Sequence, residues 1–127
     1  MAITVSDPAR QAPEAAVITK AVTNAAERLG LSARSLAAVL GVSEASISRM
    51  KRQDYFLERG SKSFELAVLF VRLFRSLDAI VGGDETVARQ WLRNANRAFG
   101  AAPADKITTI AGLTDVLAYL DARRALV

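Results

Sequence analysis

The sequence predicts an all-α chain in which an N-terminal helix-turn-helix is followed by a small helical bundle. Three observations predict it. Apolar residues recur at spacings of three and four along most of the chain, the period of an amphipathic helix. Alanine, leucine and arginine, all good helix formers, are abundant, while the glycines and prolines fall between the periodic segments. No strand-like alternation runs longer than four residues, and no internal repeat is visible.

With 127 residues the chain suits one compact unit or two small ones, and 51% hydrophobic with 24% charged residues is a globular composition. Residues 1–13 are polar, contain Pro8 and Pro13, and are expected to form a flexible tail. Val17, Ala21, Ala25 and Leu29 then lie four apart, so a first helix is expected over 14–29, with Gly30 as its C-terminal cap. Ser32 is placed to cap a second helix over 33–40, with Leu36, Ala37 and Leu40 inward. Gly41-Val42-Ser43 is a break, and Ser43 caps a third helix over 44–52 with Ile47 and Met50 inward. Residues 54–62, mostly polar around Tyr55, Phe56, Leu57 and Gly60, read as a connector.

Ser63 is expected to open a long helix to Val81 that is apolar around most of its circumference. Such a helix is central to a fold or lies in an oligomer interface. Gly82-Gly83 stop it, and Asp84 is expected to cap a fifth helix running to Phe99, with Ala88, Trp91, Leu92 and Ala95 on its inner face. Gly100 to Pro103 is a turn. Asp105 is expected to cap a short segment holding Ile107 and Ile110, broken by Gly112. The last helix, 113–124, carries Leu113, Val116, Leu117 and Leu120 on one stripe. The expected division is therefore a tail over 1–13, a helix-turn-helix unit over 14–60 and a helical bundle over 61–127.

Composition removes chemistry. The chain has no Cys and no His, which excludes thiolate and imidazole nucleophiles, bases and metal ligands. Ser48-Arg49-Met50-Lys51 matches a Ser-x-x-Lys nucleophile pattern but sits inside a helix without companion motifs. Gly82-Gly83-Asp84 lacks the Lys-Ser/Thr of a phosphate loop, and the Asp84-Glu85 pair is explained by the helix dipole. No catalytic residue, metal ligand or cofactor is expected, and the chain is not expected to be an enzyme. The net charge is +4, with 13 arginines among the 17 cations, which suits phosphate or an acidic partner. The first residues lack the cationic end and long apolar run of a secretory signal, and Phe64–Val81 carries four charges, so a cytoplasmic location is expected.

Residues 32–52 have the layout of a helix-turn-helix, two short helices joined by a three-residue turn containing Gly. Ala37 is small where the helices cross, Gly41 supplies the positive φ of the sharp turn, and Val42 and Ile47 plug the angle. That leaves Ser43, Glu44, Ala45, Ser48, Arg49 and Arg52 as the outward face of the third helix, with Lys51 adding charge. Short side chains at its start admit a helix to the major groove, and Arg forks onto guanine or holds phosphate. These six are the candidate DNA-binding residues.

The span resembles the Xre/Cro-type repressors in Leu31-Ser32, Leu36-Ala37, Leu40-Gly41-Val42-Ser43 and Ile47-Ser48. The second half resembles the toxin-binding domain of the Xre/MbcA/ParS antitoxins. It does so in Gly83-Asp84, Trp91-Leu92, Asn96, Gly100, Pro103, and Thr109-Ile110-Ala111-Gly112 followed by Val116 and Leu120. Together the resemblance covers about residues 30–127 in the family's order. It implies an antitoxin that neutralises a cognate RES-domain toxin, an NAD-consuming or ADP-ribosylating enzyme, by covering its active site, and that represses its own operon. The partners implied are that toxin, the operator DNA and a second copy in a homodimer. The candidate toxin-binding residues are Asp121, Arg123, Arg124, Leu126 and Val127, beyond or opposite the apolar stripe. The rival readings are a stand-alone Xre/Cro-like repressor with a C-terminal dimerisation domain, and a protein-interaction inhibitor whose helix-turn-helix no longer binds DNA.

Overall fold

The computed structural model describes residues 8–126, and the side chains of 13–126. Its helices are α1 (Pro8–Arg28), α2 (Ala33–Leu40), α3 (Glu44–Lys51), α4 (Lys62–Ile80), α5 (Glu85–Arg93), α6 (Pro103–Lys106) and α7 (Ile110–Arg124). No strand occurs among the described residues; the one β-bridge joins Asn96 and Ala101. No described helix is long and apolar enough to cross a membrane.

Helix α4 is the axis of the molecule. α1 packs on one side of it and α7 on another, and α2 and α5 also touch it. Its buried residues Ala67, Phe70, Val71, Leu73 and Leu77 meet Val22, Ala26, Leu36 and Leu40 from the first half and Leu113, Val116 and Leu120 from the second, in one continuous core. The all-round apolar character of this helix is thus mostly satisfied within the chain. Its half-exposed apolar residues include Phe64 and Val68 near its start, Phe74 along its length, and Ile80 with the following Val81 at its end.

Several boundaries differ from the sequence expectation for local reasons. α1 begins at Pro8 rather than residue 14, so residues 8–13 of the expected tail are helical. Pro8 takes the first helical position, where a missing N–H costs nothing. The rest of that tail, 1–7, lies outside the described residues. α4 is capped by Ser61, whose Oγ accepts the Phe64 N–H at 3.1 Å, and not by Ser63. α5 ends at Arg93 rather than Phe99: Asn94 turns extended and Asn96 Oδ1 accepts the Ala98 N–H at 2.9 Å, drawing the backbone into a turn.

Gly112 is no breaker but lies inside α7. Thr109, not a residue near 113, caps that helix and accepts the Gly112 N–H at 3.0 Å. A β-carbon on Gly112 would overlap the Lys106 carbonyl, so glycine is what lets α6 pack against the first turn of α7. Pro103, rather than Asp105, opens α6.

Candidate functional site

The helix-turn-helix is built by two serine caps and one glycine. Ser32 Oγ accepts the Ser35 N–H at 3.1 Å and starts α2; Ser43 Oγ accepts the Ser46 N–H at 3.0 Å and starts α3. Between them Gly41 adopts φ 69°, the left-handed conformation that turns the chain sharply at no steric cost. Ile47 and Met50 are buried against α1 and α2, with Val42 half-buried in the corner. Their burial fixes which face of α3 looks outward.

Ser43, Glu44, Ala45, Ser48, Arg49 and Arg52 are all exposed, as is Lys51. The structure therefore brings the six candidate DNA-binding residues onto one open face. Ser43 spends its hydroxyl on the cap and a 3.0 Å contact with Ser46, so it shapes the start of the helix. Arg49 lies over the Tyr55 ring at 5.6 Å and donates to Ser46 Oγ at 3.3 Å, held by weak contacts that a phosphate or base would outcompete. Arg52 pairs with Asp54 at 3.3 Å, both well exposed, so that cation is available to a stronger anion. The helix ends at Lys51 with Arg52 as its cap, and Gln53 follows, a non-glycine residue at φ 63°.

In the second half α4, α5 and α7 enclose an apolar groove of about 470 Å³. Leu77, Ile80, Val81, Val87, Trp91 and Tyr119 line it, with Arg123 and Leu126 from the chain's last turn. Two of the lining residues are aromatic: Trp91 stacks on Tyr119 at 6.2 Å, and Phe99, outside the lining, meets both edge-on at 6.1 and 5.1 Å. Trp91 is half-buried here, not sealed in the core as its spacing suggested. Sequence reasoning missed Tyr119 as a member of this surface, and Phe99 as its neighbour, because they lie apart in the sequence.

The candidate toxin-binding residues divide. Arg123 lies over Tyr119 at 5.2 Å on the groove rim, Arg124 is exposed, and Leu126 is 84% exposed. Asp121 instead faces α4, where Ser76 donates to Oδ1 at 2.7 Å and Arg72 to Oδ2 at 3.2 Å. Val127 lies outside the described residues.

An ionic clasp joins the two halves. Arg28, near the end of α1, bonds Glu85 of α5 at 2.7 Å, lies 3.8 Å from Asp78 and covers the Phe74 ring. The hydrogen bond to Glu85 raises the guanidinium pKa above its ordinary value. Arg89 of α5 donates to the carbonyl of Arg28 at 2.9 Å, giving an open C-terminal carbonyl of α1 a partner. Among the described residues no cluster of acidic side chains could hold a metal ion.

Comparison with known families follows the same division. Residues 8–72 match the antitoxin Xre-like helix-turn-helix domain, and residues 76–125 match the antitoxin Xre/MbcA/ParS C-terminal toxin-binding domain. The two matches meet inside α4, the helix both halves share. The comparison with curated proteins gives no match. The chain, helical with no strand among its described residues, with an exposed helix-turn-helix face in its first match and an apolar groove in its second, therefore belongs to the Xre-like antitoxin family.

Proposed function

We propose that this antitoxin neutralises a RES-domain toxin, an enzyme that consumes NAD⁺ or transfers its ADP-ribose, by covering the active site. The observation that carries this is the terminal segment. Beyond Leu120, the last buried residue of α7, Arg123 and Leu126 stand exposed at an apolar groove and Arg124 is exposed next to Arg123 in the chain, within or next to the toxin-binding match. A pocket built for the phosphates of NAD⁺ suits Arg forks, and Leu126 with Val127 would fill the space beside them. Asp121 then positions the helix that carries the segment.

The same chain, as a homodimer, represses its own operon through Ser43, Glu44, Ala45, Ser48, Arg49 and Arg52. Arg49 and Arg52 supply the base or phosphate contacts and the short residues allow close approach. Both partners belong to the cytoplasm.

Co-expression with the product of the adjacent gene tests the reading. Growth should be restored and a complex should copurify; persistent toxicity contradicts the assignment. A salt-dependent shift of the native promoter fragment supports the repressor half, and no shift at low salt removes it while leaving neutralisation standing.

A further inference from the structure

Helix α5 has three faces. Ala88 and Leu92 enter the core, and Val87 and Trp91 line the apolar groove. The third face carries Thr86, Arg89, Gln90 and Arg93, which with Asn94 line a separate concavity of about 280 Å³. Helical periodicity centres this face roughly a third of a turn from the groove, so a partner seated in the groove need not cover it. Every lining side chain is a hydrogen-bond donor, two are cations and none is acidic. The acids at the start of α5 are engaged elsewhere: Asp84 accepts the Val87 N–H at 3.2 Å, and Glu85 pairs with Arg28 at 2.7 Å. Arg93 is exposed and enters no ion pair among the described residues.

Arg89 ties this face to the helix-turn-helix unit. Its guanidinium donates to the carbonyls of Arg28 at 2.9 Å and Glu27 at 3.5 Å, and most of its donors stay unused. Gly30 leaves the room that its side chain occupies, since a β-carbon there would lie 3.3 Å from Arg89 Cδ. Two residues beyond Gly30 comes Ser32, the cap of α2, and Arg34 stands exposed in the first turn of that helix.

We propose that the Arg89–Arg93 face of α5 binds the phosphate backbone of the operator duplex, extending the DNA footprint from α3 onto the toxin-binding half. In a helix-turn-helix the second helix enters the major groove while the first crosses the backbone. That first helix is α2, and Arg89 lies against the residues that lead into it. Arg forks and amide donors, with no acid among them, suit phosphate oxygens. An acidic patch of the toxin has the same chemistry, but the contact with the α1–α2 joint places this face beside the DNA-reading unit, on a different side of α5 from the groove. Such contacts fix register and add affinity without reading sequence. The inference rests on the repressor half of the proposed function.

Fluorescence anisotropy tests it, with the full chain and two duplexes, the native promoter and a scrambled one of equal length, from about 50 to 200 mM salt. Gln90→Glu and Ala118→Glu change the net charge equally, the first in the concavity and the second on the exposed side of α7. Gln90→Glu should weaken binding to both duplexes about tenfold, and Ala118→Glu should leave both unchanged. Arg93→Gln should lower the salt slope by about one unit for each protomer bound and keep the ratio of the two affinities. Circular dichroism checks that all three are folded. Equal weakening by the two Glu variants would mean that net charge alone acts, and overturns the face. Unchanged affinity and slope in Gln90→Glu and Arg93→Gln overturns it too, and loss of toxin neutralisation in the same variants would then give the face to the toxin. Wild type that binds neither duplex at the lowest salt removes the repressor half itself and this proposal with it.

Discussion

Ser76 donates a 2.7 Å hydrogen bond to Asp121 and ties the terminal helix to α4 across 45 residues of sequence. Ser76 is 1% exposed, so the carboxylate is the partner of a hydroxyl that water does not reach. Removing the carboxylate takes that partner away. Asp121→Ala should destabilise the fold by about 1–2 kcal/mol, and Ser76→Ala by less, because Asp121 keeps Arg72. Urea unfolding measures both.

A second prediction concerns the Thr109–Gly112 turn. Gly112→Ala forces a methyl group against the Lys106 carbonyl, which neither helix can yield without shifting. A loss of about 2 kcal/mol or more is expected. Thr109→Ala removes only the cap and should cost about 1 kcal/mol. Thermal unfolding that ranks the two in the opposite order would contradict the packing described.

Gln53 provides a test with the opposite sign. Its φ of 63° places a side chain in the left-handed region just past the end of α3. Gln53→Gly relieves that strain and should raise stability by about 1 kcal/mol. The gain is measured by the shift in denaturation midpoint.

On DNA, Arg49→Ala should lose about 1–3 kcal/mol of specific operator binding if Arg49 reads a base. If it touches phosphate alone, binding weakens for every sequence and the salt slope shrinks by about one unit. Arg52→Ala should weaken binding less, since Arg52 must first leave Asp54. Unchanged affinity in both variants would mean that α3 is not the reading element.

Much of this was legible in the sequence where local signals decide structure. α2 matched the expected residues and α3 ended within one of them, because Ser32, Gly41 and Ser43 act within a few residues of themselves. The face of α3 followed from Ile47 and Met50 alone. The stripe Leu113, Val116, Leu117 and Leu120 is buried as its spacing required. The failures are tertiary or competitive. Ser61 and Ser63 are equally good caps on paper. Asn96 competes for backbone N–H groups and ends α5 early. Gly112 looks like a breaker until the Lys106 carbonyl is seen against it. The aromatic cluster joins residues 91, 99 and 119, and Asp121 finds its partners on α4, neither of which any periodicity encodes.

The central claim is that the segment beyond Leu120 silences the toxin, and deletion of residues 122–127 tests it most directly. The stripe that holds α7 to the core ends at Leu120, and Asp121 with its α4 contacts is retained. The truncated protein should therefore fold and bind DNA as before. Cells expressing it together with the cognate toxin should stop growing, whereas cells with the full chain should not. Full protection by the truncated protein would contradict the account and move the inhibitory surface to the Trp91, Phe99 and Tyr119 cluster.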